Sequence, residues 1–144
     1  MEKLYKLLSD TQATLFALFQ KTWVYHWNVV GSEFYQFHKV FGEQYETMFE
    51  EIDRLSEHMR YLNVKPLSSL SRMLEVTQIK EAASSTGAKE MLQELLDNNT
   101  KFCELMSEIS EESETQKSYA TANLVQDLME SHGKFVWQLK AHLQ

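Results

Sequence analysis

Apolar residues recur along this chain at steps of three and four, and only a few short polar stretches interrupt them. Leu4, Leu7, Leu8, Leu15, Leu18, Phe19 and Thr22 mark the first stripe, which predicts an amphipathic helix over roughly 2–29. "NVVGSE" breaks it. Gly31 can take a positive φ and stop a helix. Ser32 is placed to cap the next one, with Tyr35 standing where a capping-box Glu would complete the signature. Phe34, Phe37, Phe41, Tyr45, Met48, Ile52, Leu55 and Met59 then predict a second helix over roughly 32–62. "NVKP" ends it, because Pro66 and the residue before it resist helical geometry.

A connection follows over roughly 65–86. Inside it "SSLSRMLEV" has the look of a short helix, and "SSTG" at 84–87 predicts a turn. Met91, Leu92, Leu95, Leu96, Phe102, Leu105, Met106 and Ile109 predict a third long helix over 88–110, after which the polar run "SEESETQKS" reads as a loop. Leu124, Val125, Leu128, Met129, Phe135, Val136 and Leu139 predict the last helix over 118–142. Two long helices, a long connection and two more long helices make an all-α four-helix bundle with one long crossover, the ferritin-like topology. No repeat and no boundary divides the chain, so one domain over 1–144 is expected.

Composition agrees with that picture. Four Gly and one Pro in 144 residues leave little material for turns, and 43% hydrophobic residues suffice for a sizeable core. No run of about 18 apolar residues is present, so no membrane span is expected. The start, "MEKLYKLLSD", lacks a signal-peptide apolar region, and a single cysteine, Cys103, points to a reducing cytoplasm. Cys103 has no basic or His partner in an obvious motif and reads as a small helix residue. A net charge of −7, with no basic tail at either end, disfavours nucleic acid and favours cations.

The candidate chemistry surrounds the first break. His26 precedes the turn and His38 follows it, so an antiparallel helix pair sets them at similar heights. Further along the second helix, Asp53 and Glu57 are spaced i, i+4 and project from one face. Two imidazoles and two carboxylates suit Fe(II), Zn(II) or Mn(II). Yet His38 and Asp53 are fifteen residues apart on one helix, which is ~22 Å along its axis. One chain cannot bring them to a common metal. Two copies packed antiparallel about a two-fold axis can, and such an interface makes two identical sites at once.

The stretch "YHWNVVGSEFYQFHKVFGEQYETMFEEIDRLSEHMR" resembles the metal-site signature of the Dps family, the DNA-protection-during-starvation proteins or mini-ferritins. That family carries His-Trp-Asn at the end of its first helix, a second His twelve residues later, and an Asp-x-x-x-Glu pair starting fifteen residues beyond. His26, His38, Asp53 and Glu57 match this spacing without a gap, and "TANLVQDLMESHGKFVWQL" is similar to the family's last helix through Thr121, Leu124, Lys134 and Trp137. The resemblance implies a hollow shell of twelve subunits with a di-iron ferroxidase site at each dimer interface. In it, Fe(II) is held by His26 and His38 of one chain and Asp53 and Glu57 of its partner. Hydrogen peroxide, or oxygen, oxidises paired irons without releasing hydroxyl radical, and ferric mineral is stored inside, protecting against oxidative damage. Trp27, beside the ligands, is implied to trap stray oxidising equivalents.

Departures from the family pattern stand at three places. Some relatives carry an acidic ligand four residues after the second His, where this chain has Gly42. The residue after the Glu ligand is often Arg, and here it is His58. The acidic residues that often line the family's iron-entry pore are replaced by "YATAN", with Asp127 and Glu130 one and two turns further on.

Several residues also have plainer readings. Glu46, Glu50 and Glu51 read as solvated charges or weak auxiliary iron sites, and Glu43 and Glu46 as candidate interior nucleation residues. His58, His132 and His142 read as surface or structural. Trp23 and Trp137 read as core or interface. No His has a Glu three residues before it, so the Glu-x-x-His motif of a di-iron centre inside the bundle is missing. Two other functions compete with the ferroxidase: a DNA-compacting shell, disfavoured by charge, and a helical oligomer that keeps the fold but binds no metal.

Overall fold

The computed structural model describes residues 1–83 and 86–144. Five helices follow in order: α1 (Glu2–Asn28), α2 (Phe34–Tyr61), α3 (Leu70–Val76), α4 (Ala88–Thr115) and α5 (Tyr119–His142). Among the described residues there is no strand, and no helix is long and apolar enough to cross a membrane. α1 packs against α2 and α4, α5 packs against α4 and α2, and α3 lies against α1.

Side-chain pairs give the directions. Lys3 meets Glu112 while Lys21 meets Glu94, so α1 and α4 are antiparallel. Gln44 meets Gln138 while His58 meets Thr121, so α2 and α5 are antiparallel too. α2 and α4 therefore run the same way, which is what a long crossover requires. Leu8, Leu15, Leu18, Phe41, Met48, Leu55, Leu92, Leu95, Met106, Val125 and Leu139 are among the fully buried side chains of one continuous core.

The helix ends show where sequence patterns suffice and where they do not. Gly31 has φ 112°, as the break required. Ser32 does not cap α2. Glu33 holds that position, and no side chain bonds the first turn. α2 stops at Tyr61, five residues before Pro66, because Asn63 adopts a left-handed φ of 62°. The Asn63 amide then donates to the Arg60 carbonyl at 3.0 Å and the Val64 amide to Met59 at 2.8 Å. That is a Schellman closure, with Val64 folded back on the core.

Lys117, at φ 58°, ends α4 in the same way, with Ser118 bonding back to Ser113 at 2.7 Å. The polar run expected to be a loop is therefore mostly helix, and α4 continues to Thr115. Its buried positions include Ser110 and Ser113. The Ser113 hydroxyl satisfies itself on the Ile109 carbonyl at 2.6 Å, so a polar residue occupies a core-facing site. α3 begins where "SSLSRMLEV" predicted, its Ser69 hydroxyl accepting from the Arg72 amide at 3.2 Å. The turn expected at 84–87 falls partly on Ser84 and Ser85, outside the described residues.

Tyr25 and Lys21, both buried, tie α1 to α4, and Tyr25 also holds the crossover. The Tyr25 hydroxyl donates to Glu94 at 2.5 Å and accepts from the Ala83 amide at 3.4 Å. Lys21 donates to Asn98 at 2.9 Å, and burial pulls its ammonium below the usual range.

Candidate metal centre

The short α1–α2 turn brings His26 and His38 into direct contact. Their rings lie face to face, 3.8 Å between centroids and 14° from parallel. The His26 Nδ1 lies 2.5 Å from the His38 carbonyl oxygen, and the His38 Nδ1 lies 2.7 Å from the His26 carbonyl oxygen. A carbonyl can only accept, so each Nδ1 carries the proton and donates it. In the neutral ring this tautomer leaves Nε2 with a free lone pair, the state in which imidazole binds a metal. Both rings are half-buried.

Neighbouring aromatic rings hold the pair in place. Phe34 stacks on the other side of His38 at 5.0 Å, and Tyr45 meets the His26 ring edge-on at 5.2 Å. Gly42 lies directly against His26: a Cβ built there would stand 2.9 Å from the ring's Cε1 and 3.0 Å from Nδ1. Tyr45 leads to Trp23 (5.6 Å), and Trp23 to Trp27 (4.8 Å), which is 54% exposed. Trp23 and Trp137 are exposed as well, so none of the three tryptophans belongs to the core.

Asp53 and Glu57 stand exposed on α2. They are neighbours in space: Asp53, by a side-chain hydrogen bond first and by its charge second, pushes the Glu57 carboxyl above the usual carboxylate range. Two carboxylates one helical turn apart on one face can hold a divalent cation together. Since α2 is unbroken from Phe34 to Tyr61, Asp53 sits ~22 Å along the axis from His38, and Glu57 one turn further. Among the described residues, no three metal-binding side chains of one chain converge. The chain thus carries two half-sites with compatible donors at different places on one helix.

An open apolar groove runs between them on the outer face of α1 and α2. Phe16, Phe19, Trp23, Tyr45 and Phe49 form its floor and Asp53 its edge. Phe49 is 65% exposed there, and on adjoining α3 Leu70 and Leu74 are exposed too. So many large apolar side chains facing water on one side mark a protein contact surface.

Other residues singled out from the sequence fall elsewhere. Glu43, Glu46 and Glu50 are exposed. Glu51, read as a solvated charge, is buried: its Oε1 lies 2.9 Å from the Nε2 of His132, which is fully buried. The ring's Nδ1 lies 2.7 Å from the Asn99 Oδ1. Glu51 falls on the inner face of α2, and nothing local in the sequence reveals a partner 81 residues away. His58 bonds Thr121 at 2.9 Å, while burial and then Arg54 hold its imidazole below the usual range. His142 lies edge-on to Phe37. Arg54 holds Asp127 at 2.8 Å, and Glu130 faces Lys134 at 3.7 Å. Cys103 is half-buried, and burial pushes its thiol up, as an inert helix cysteine requires.

Comparison with known proteins gives a consistent answer. Residues 5–144 match the family model described as a ferritin-like domain. The chain is 31% identical over 142 residues to the DNA protection during starvation protein of Helicobacter pylori, spanning 98% of this chain and 99% of that protein. Among solved structures, it is similar to a Vibrio cholerae Dps protein described as a member of a broad superfamily of ferritin-like diiron-carboxylate proteins. That match has a TM-score of 0.94 and 31% identity, covering 99% of this chain and 90% of the other. A Dps protein from Bacillus brevis gives a TM-score of 0.96 at 27% identity, over 99% and 96% of the two chains.

Proposed function

This chain belongs to the Dps family of ferritin-like proteins, and on that premise we propose that it is an iron-oxidising, iron-storing protein whose sites lie between subunits. The single observation that carries the proposal is the division of donors: two imidazoles with free Nε2 atoms at one end of α2, and a paired Asp53 and Glu57 at the other. A two-fold pairing of α2 with its copy sets the histidines of one protomer opposite the carboxylates of the other. The apolar groove between the half-sites supplies the contact surface that such a pairing needs.

In this reading Fe(II) is the substrate. The Nε2 atoms of His26 and His38 bind from one side, and Asp53 and Glu57 of the partner subunit bind from the other and offset its charge. Hydrogen peroxide takes one electron from each of two Fe(II) ions and leaves as two hydroxides, so no one-electron oxygen radical is released. Trp27, next to His26 in the chain and exposed, is an oxidisable indole for equivalents that escape. Twelve subunits in a hollow shell supply the space for ferric mineral, and each chain's net charge of −7 draws cations toward it.

The test is complementation. His26→Ala and Asp53→Ala assemblies should each lose Fe(II) oxidation while keeping wild-type size. Mixed refolding of the two in equal amounts should restore about a quarter of the sites, because half of the two-fold pairs are mixed and each mixed pair holds one intact site. No recovery in verified mixed assemblies refutes the inter-subunit site.

A further inference from the structure

Gly42 sits mid-helix, where glycine is the poorest helix former after proline. Its φ is not one of the positive values found in this chain, so the backbone does not call for glycine. What its missing side chain provides is space: a Cβ would stand 2.9 and 3.0 Å from two atoms of the His26 ring. That ring has nowhere convenient to go. It is stacked on His38 at 3.8 Å, anchored through Nδ1 to the His38 carbonyl, and met by Tyr45. Gly133, in the middle of α5, is a natural contrast, with open space where its Cβ would stand.

The stack that Gly42 permits has a consequence for metal binding. A metal–imidazole bond lies in the ring plane, about 2.0–2.1 Å from the nitrogen. Two rings 14° from parallel and 3.8 Å apart have no common point within that reach. One ion cannot be bound by both histidines. Two ions can be, one to each Nε2, as a two-metal site requires.

We propose that Gly42 is a positioning residue of the metal centre: its bare Cα is the floor on which the His26 ring lies, holding the two imidazoles face to face so that each addresses its own ion. This rests on the inter-subunit metal reading above. Where an acidic side chain at this place would add a ligand, this chain uses the space to seat one it already has.

The test is anaerobic Co(II) titration of the assembled protein, read by the d–d absorption band, with no turnover involved. Wild type should bind about two ions per chain. Gly42→Ala should weaken binding by about 10–100-fold, the usual effect of disturbing a residue that orients a ligand. Gly133→Ala, which also replaces a helical glycine, should bind as wild type does. If Gly42 acts through the His26 ring, the double variant Gly42→Ala/His26→Ala should lose no more than His26→Ala alone. Should Gly42→Ala titrate as wild type while His26→Ala loses binding, the role of Gly42 is refuted and the metal site stands. Should His26→Ala also titrate as wild type, the site itself is misassigned and both ideas fall.

Discussion

Glu51→Ala is the substitution whose effect the packing specifies most fully. His132 is completely buried, and both of its ring nitrogens face acceptors, Asn99 Oδ1 at 2.7 Å and Glu51 Oε1 at 2.9 Å. The Asn99 amide is fixed because its Nδ2 donates to the Leu95 carbonyl at 2.8 Å, so its oxygen must be the atom facing the imidazole. Nδ1–H therefore donates to Asn99, and a proton also bridges Nε2 and the Glu51 carboxyl. Breaking a buried pair of this kind by removing one partner costs about 3–5 kcal/mol. Glu51 is 8% exposed, so water can reach the vacated edge, and the lower end, about 3 kcal/mol, is the better figure.

At roughly 2–4 °C per kcal/mol for a chain of this size, Glu51→Ala should lower the melting temperature by about 6–12 °C. Glu51→Gln keeps a neutral hydrogen bond to Nε2 and should cost only about 1 kcal/mol. The assay is thermal unfolding followed by circular dichroism at one fixed chain concentration, since assembly makes melting concentration-dependent. A shift under about 2 °C for Glu51→Ala, or equal shifts for Ala and Gln, refutes the strut. The contact matters to the site because Glu51 and Asp53 are two residues apart and point to opposite faces of α2. Clamping one inward fixes the roll of the helix that presents the other outward.

Two further predictions follow from charge and burial. Burial, with the bond to Glu94 second, pushes the Tyr25 phenol up to about 12. The neutral phenol is thus favoured in the folded chain, and its stabilisation, complete below the unfolded value of about 10, is lost as pH rises through about 12. Ultraviolet titration should show a tyrosine phase at about 12, and Tyr25→Phe should remove it. In a gel-shift assay at physiological salt, the protein should leave duplex DNA unretarded, since a net charge of −7 per chain opposes phosphate binding; a clear shift without added divalent cations refutes this.

The core stripes of α1, α2 and α5 were legible because Leu, Phe and Met fall at helical steps. The end of α4 was not, because Ser110 and Ser113 fill inward positions with small hydroxyls and erase the apolar rhythm. The histidine pair was legible because one His stands shortly before the Gly31 break and the other shortly after it, and the distance to Asp53 and Glu57 from counting residues along one helix. Glu51 was misread because five acidic residues crowd 43–53, and only the fold separates the inward one from the outward ones. Gly42 was read as a missing ligand. Its contact with His26 is a matter of tenths of an ångström, and residue spacing carries no such detail.

The unbroken length of α2 bears on when this chemistry starts. One rigid helix keeps the nitrogen donors and the carboxylates of a folded chain apart. On the proposed reading, a lone chain holds Fe(II) weakly and does not oxidise it. The number of working centres in a dilute sample rises with the square of chain concentration until pairing saturates. On that reading the fold delays iron oxidation until a partner is present, with no inhibitor and no moving part.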